Sequence, residues 1–363
     1  MQDNGYFAHT GRLFATVLFV AFTMWTVPVR GEECLNPDAV CRAVEDLQRT
    51  FGVAYAVGSD GLAALRNAPE NGDTADNPAM KAWREQARAA LLANPLLDFG
   101  ALLFIRRGAG QLGLPQNWES NSSLPLSGFD NEICRMFPRG DGTPQRVYRP
   151  DKDVFAGDLA LHWDAGRLLF SMPGSNGRWQ VHELDLATGR AQEVSLINEP
   201  DVDNYEACYL PDDNLVFAST APFVGVPCVT GSSHVSNLYR YDVATGAIRR
   251  LTFEQDHDWC PRILPNGRVL YLRWEYSDIP HFASRILFHM NPDGTEQMEY
   301  YGSNSYWPNA MFYARPLPGS ATKVVTIVGG HHGVPRMGEL VLLDAAHGRR
   351  EADGVIQRIP GYG

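Results

Sequence analysis

Two periods of hydrophobic and polar positions divide the chain. From Asn36 to about Leu97, apolar residues return every three or four positions. PDAVCRAVEDLQRTF sets Val40, Ala43, Val44 and Leu47 on one face, and MKAWREQARAALLANPLL repeats the pattern. That spacing predicts amphipathic helices, separated by the Gly/Asn/Asp-rich stretch Asn67 to Asn77. After Leu97 the pattern changes to short β-rich runs broken by Gly, Pro, Asn and Asp, which predicts strands and turns.

The runs repeat. GRLLFSM (Gly166 to Met172), DNLVFAS (Asp213 to Ser219) and GRVLYLR (Gly267 to Arg273) align, and ALLFIRR (Ala101 to Arg107) resembles all three. Each predicts the second strand of a unit. A variable loop then leads to a strand ending in a tight turn: EICRMFPRGDG, QVHELDLATG, NLYRYDVATG, ILFHMNPDG and ELVLLDAAHG. The turn glycines Gly142, Gly189, Gly246, Gly294 and Gly348 recur every 47 to 57 residues. A four-stranded antiparallel unit cannot bury both faces alone, so five such units predict a mainly β chain folded as a β-propeller. The expected division is 1–31 signal peptide, 32–95 helical segment and 96–363 propeller blades. With no returning strand before RIPGYG, the blades are expected to be an incomplete set.

Composition narrows the partners. A net charge of −11, a pI near 5.4 and Lys and Arg in no run longer than two disfavour nucleic acid, which needs a basic face. The uncharged apolar stretch Leu13 to Val27 follows Arg12 and predicts a signal peptide, with an uncleaved anchor as the alternative reading. The mature chain is then extracytoplasmic, periplasmic or secreted, with no stable membrane span. All six cysteines lie beyond that stretch, where disulfides persist; Cys34 with Cys41, and Cys208 with Cys228, are candidate pairs. No C-x-x-C-H occurs, so no covalent c-type haem is expected.

In a propeller, the loops joining strands two and three share one face with the loops entering each next blade. Here those loops would present Cys228 and His234, then Arg273, Glu275, Asp278 and His281, then His331, His332 and Arg336. His281, His331 and His332, completed by Glu275 or Asp278, are candidate ligands for a divalent metal; the competing reading has these histidines bonding loop backbone. Arg273 or Arg336 would neutralise a substrate carboxylate. His257, between Asp256 and Asp258, is expected to favour its imidazolium form, in a proton shuttle or a salt-bridged loop. Trp259 and Trp307, at an aromatic position that recurs at blade entry, are expected between blades. His162, His182, His289 and His347 are expected at the surface. No G-x-S-x-G, Walker or dinucleotide motif is present.

The L-P-D and L-P-N-G runs before a strand, with Tyr-Asp-x-x-Thr-Gly after the next, resemble TolB-type (WD40-like) propeller repeats. LTFEQDHDWCPRILPNGRVLYLRWEYSDIPH, MNPDGTEQMEYYGSNSYWPN and GHHGVPRMGELVLLDAAHGRREADGVIQRIPGYG resemble the middle domain of the hydrazine synthase alpha subunit family over about residues 90 to 363. The resemblance implies an exported scaffold, of a kind common in planctomycete bacteria. That family's haem chemistry does not carry over without C-x-x-C-H. The leading expectation is a noncatalytic binding or assembly module with a protein or glycan partner. The alternative is a metal-dependent enzyme similar to propeller polysaccharide lyases.

Overall fold

The computed structural model describes residues 35–69, 77–140, 142–229, 231, 233–276, 284–330 and 333–359. The chain divides into two compact units, Met1–Asp98 and Phe99–Gly363.

The first unit holds helices α1 (Pro37–Phe51), α2 (Ser59–Arg66) and α3 (Pro78–Leu92). Asn36 and Asn77 cap α1 and α3, each accepting a backbone N–H at 3.0 Å through its side-chain oxygen. A proline opens each of the two helices, where its missing N–H costs nothing. The apolar stripes meet: Val44, Leu65, Trp83 and Ala87 form the centre of a small core. Trp83 Nε1 donates to the Leu65 carbonyl at 2.9 Å. No helix among the described residues is long and apolar enough to cross a membrane.

The second unit is a series of antiparallel blades. Blade 1 contains β1 (Leu102–Arg107), β2 (Asn131–Met136) and β3 (Gln145–Tyr148). Blade 2 follows as β4 (Gly157–Leu161), β5 (Arg167–Pro173), β6 (Trp179–Asp185) and β7 (Ala191–Glu193). Blade 3 is β8 (Asn204–Tyr209), β9 (Leu215–Ser219), β10 (Asn237–Tyr241) and β11 (Ile248–Arg250). Blade 4 is β12 (Asp258–Ile263), β13 (Val269–Trp274), β14 (Arg285–Met290) and β15 (Met298–Tyr301). Blade 5 is β16 (Ala310–Pro316), β17 (Lys323–Gly329), β18 (Glu339–Asp344) and β19 (Val355–Ile359). Strands pair in sequence order within each blade, and a single parallel bridge, Arg285 with Ala310, joins blades 4 and 5. The register of ALLFIRR against β2 makes it a second strand, so blade 1 lacks an innermost strand among the described residues. No single closed sheet forms among them; the fold is propeller-like.

Turn chemistry explains the repeat. In the turns after β6 and β10, the Asp185 and Asp242 side chains accept the backbone N–H and hydroxyl of Thr188 and Thr245 at 2.7–2.9 Å. The following Gly189 and Gly246 have φ of 69° and 73°, a region L-residues rarely occupy. Between blades the inward faces form one core, with Trp179, Tyr205, Phe217, Trp259, Tyr271 and Phe312 all essentially buried. A separate cluster, Ile133, Ala156, Leu168, Phe170 and Leu184, seals blade 1 against blade 2.

The aromatic repeat needs one correction. Tyr306 and Trp307 lie in the loop before β16. The residue standing where Trp259 stands one blade earlier is Phe312, which shares its place at the bulge of the inner strand.

Candidate functional site at the channel and its loop face

Each innermost strand carries one extra residue. Register slips between Gly157 and Ala160, Tyr205 and Cys208, Trp259 and Arg262, and Phe312 and Arg315. The bulged residues Asp158, Glu206, Cys260 and Tyr313 have φ of 58°, 51°, 52° and 56°. Such backbone costs about 1–3 kcal/mol per residue and persists only where surroundings impose it. Here the N–H groups released from the ladders find partners on the preceding blade. Glu206 N–H donates to Ser171 Oγ at 2.9 Å, and Cys260 N–H donates to Glu206 Oε2 at 2.7 Å. The Tyr313 backbone N–H reaches the Cys260 sulfur. A chain of hydrogen bonds thus passes from blade to blade around the axis.

Arg336 sits in the middle of that chain. It comes from the loop between β17 and β18, is 1% exposed, and pairs with Glu206 at 2.8 Å. Its guanidinium donates to the Glu119 carbonyl and lies over the Trp259 and Phe312 rings at 4.8 and 5.1 Å. Burial opposes its charge, but Tyr313 and Glu206 outweigh burial and hold the guanidinium firmly protonated. Next to it, burial and then the Glu206 charge raise the Asp158 carboxyl, which accepts a hydrogen bond from Asn121 at 2.6 Å. Burial, then Glu206, pushes the Cys260 thiol up to about 12.

The same loop joins the last blade to the first. Gln116 bridges Pro335, Arg336 N–H donates to the Pro115 carbonyl at 2.9 Å, and Asn117 N–H donates to Val334 at 3.0 Å. Among the described residues, blades 1 and 5 are thus joined by loop contacts.

Beside this plug the loop face opens into a polar hollow of about 350 Å³. Its wall takes Glu119, Ser120, Ser122 and Ser123 from the blade 1 loop, Arg178 from blade 2, and Ser233 and His234 from blade 3. Asp203 fixes its floor, accepting from Arg178 at 2.8 Å and from Trp179 N–H at 3.0 Å. Ser122 Oγ is buried with no hydrogen-bond partner among the described residues.

The structure sorts the sequence candidates. His234 is exposed and lines the hollow. Arg336 is no open rim cation but the buried plug described above. Arg273 lies on β13, not in a loop; it is bound to Asp258 and Glu254 at 3.0 Å each and to Gln297 at 2.8 Å. Glu275 is half-buried just after β13, its carboxyl raised by burial. Asp278, His281, His331 and His332 lie outside the described residues, and among the described ones no three His, Cys, Asp or Glu side chains gather as a metal set.

His257 overturns the imidazolium expectation. It is fully buried and stacked on Trp259 at 4.3 Å. Nδ1 accepts the Ser236 N–H at 3.1 Å. Burial, then Arg336 and Arg285, presses its pKa well below the usual value. His162 and His182 are buried too, at 8% and 6% exposure; His162 sits between Asp164 and Asp213 at 2.7 Å each. Cys208 is a buried free thiol, pushed up to about 11 by burial, instead of half of a bridge to Cys228. The Cys34–Cys41 staple falls outside the described residues with Cys34.

The bulges escaped the sequence reading.

Antiparallel blades with bulged inner strands around a plugged axis make the second unit β-propeller-like. Among solved structures, hydrazine synthase of Kuenenia stuttgartiensis superposes with a TM-score of 0.55 at 14% identity, over 68% of this chain and 37% of its own. This chain thus spans little more than a third of that protein. A TolB-type protein of Agrobacterium tumefaciens gives 0.48 at 14% identity, over 72% and 90%. TolB of Acinetobacter baumannii gives 0.41 at 14%, over 78% and 70%. At such identities the likeness is one of fold. No family model and no curated protein matches the chain.

Proposed function

We propose that the chain is an exported binding module that uses the loop face of its propeller to hold a hydroxyl-rich ligand, a glycan. The observation that carries this reading is the hollow of about 350 Å³ whose wall is supplied by the loops of three successive blades. Serine hydroxyls offer paired donors and acceptors, and Glu119, Asp203 and Arg178 supply the charged hydrogen bonds that orient a polyol. The scaffold beneath is held by the Arg336–Glu206 pair, so the loops are preorganised and little ordering entropy is lost on binding. Export rests on the apolar stretch Leu13 to Val27, and N-terminal sequencing of the secreted or periplasmic protein tests it.

The binding test is titration of the purified protein with a panel of soluble oligosaccharides, repeated with Ser233→Phe, which fills the hollow. Saturable binding that weakens at least tenfold in the variant, at an unchanged thermal midpoint, is expected. Absence of binding across the panel, or binding indifferent to the variant, overturns the reading.

A further inference from the structure

The axis has a second mouth, on the face formed by the turns between first and second strands. It opens as a cavity of about 570 Å³ walled by Trp163, Pro211, Pro265, Pro316, Leu317 and Pro318 from blades 2 to 5. Proline and tryptophan give it stiff, apolar walls, and the volume lies within the range of small-molecule sites.

Two arginines stand on the inner strands directly before this wall. Arg262 precedes the lining residue Ile263, and Arg315 precedes Pro316. Both occupy the position two residues past the bulge, as Cys208 does. Arg262 bonds the Cys208 sulfur, and Arg315 feels Arg262, Cys260, Cys208 and Asp158. Those four residues belong to three other blades, so both guanidiniums face the axis. Arg262 is 8% exposed and its Nη1 donates to the Pro261 carbonyl at 2.7 Å. Arg315 Nη1 is buried with no hydrogen-bond partner among the described residues. Neither forms an ion pair with a carboxylate among the described residues; burial, then its neighbour Arg262, lowers Arg315 to about 9. Arg262 is buried and Arg315 half-buried, and two cations facing each other with no directly bonded carboxylate among the described residues are costly unless an anion joins them.

We propose that this mouth binds a small organic carboxylate, its anionic group between Arg262 and Arg315 and its apolar body against Trp163 and the proline wall. Planar guanidiniums match a carboxylate through paired N–H bonds, and the walls remove the apolar body from water. The site lies on the face opposite the serine-lined hollow and is independent of it.

The test titrates the full chain with 4-phenylbutyrate and, in parallel, with its uncharged amide, by calorimetry. Saturable binding of the acid, at least tenfold tighter than the amide, and a raised thermal midpoint in its presence are expected. Arg315→Met weakens the acid at least tenfold and leaves the amide unchanged; Arg315→Lys restores part of the loss. Equal affinity for acid and amide in the wild-type protein overturns the proposal without any variant, as does failure of both to bind. Ser233→Phe leaves this binding intact, which separates the two sites.

Discussion

Replacing Arg336 by methionine removes the charge and keeps most of the side-chain volume. Glu206, 1% exposed, then keeps its bond to Cys260 N–H but loses its cation. The Trp259 and Phe312 rings lose the guanidinium that lies over them at 4.8 and 5.1 Å. Breaking a buried pair from one side costs about 3–5 kcal/mol, because the remaining charge stays desolvated. For a domain of this size that corresponds to a fall in Tm of roughly 10 °C. The assay is urea unfolding followed by tryptophan fluorescence; six of the eight tryptophans lie in the propeller unit. The double variant Arg336→Met, Glu206→Gln removes both charges and recovers at least half of the loss, since the amide oxygen still accepts Cys260 N–H. A single-variant loss below about 1 kcal/mol, or a double variant no better than the single, refutes the view that an ion pair locks the axis.

Three further outcomes follow from the same chemistry. Burial holds Cys134 and Cys208 up to about 11 and Cys260 up to about 12, so iodoacetamide leaves all three unlabelled in the native protein and labels them in urea; rapid native labelling of any one, read by peptide mass, contradicts the assignment. His257 is depressed in the folded state, so its contribution is complete above its unfolded value near 6.5 and is lost as pH falls below it. Relative to wild type, His257→Gln therefore flattens the acid side of the stability profile by up to about 1.4 kcal/mol per pH unit; parallel wild-type and variant profiles between pH 6.5 and 5 show the imidazole is not buried neutral. His162 has the opposite sign: burial lowers it, but Asp213 and Asp164 win and raise it. Its pairs stabilise fully below 6.5 and fade as pH rises through the folded value, so His162→Gln loses more at pH 6 than at pH 9.

What was legible in the chain was whatever repeats locally. Asp-x-x-Thr-Gly turns and the second-strand runs are set by contacts within a few residues, and they mark blades without knowledge of the rest. Arg336 and Arg273 looked like rim cations because sequence places them near loops, yet their partners Glu206 and Asp258 are 130 and 15 residues away; blade packing brings the first pair together and the β12–β13 register the second. His257 misled for a related reason. Its flanking carboxylates are neighbours in sequence, but Asp258 turns to Arg273 at 3.0 Å, while the charges that act on the imidazole are arginines from elsewhere.

The bulges build the part of the site that no local pattern marks. An extra residue in each inner strand rotates one side chain toward the axis and releases one N–H, and the two effects together build the polar centre. Asp158, Glu206, Cys260 and Tyr313 have no one side-chain type in common, so no residue pattern marks them; all four share a backbone conformation with φ between 51° and 58°. Blades linked through such centres are also tied, blade 5 to blade 1, through the Gln116–Pro335 loop contact. The axis then separates two faces of different character, serine hydroxyls on one and proline walls backed by two arginines on the other, each able to change without disturbing its opposite.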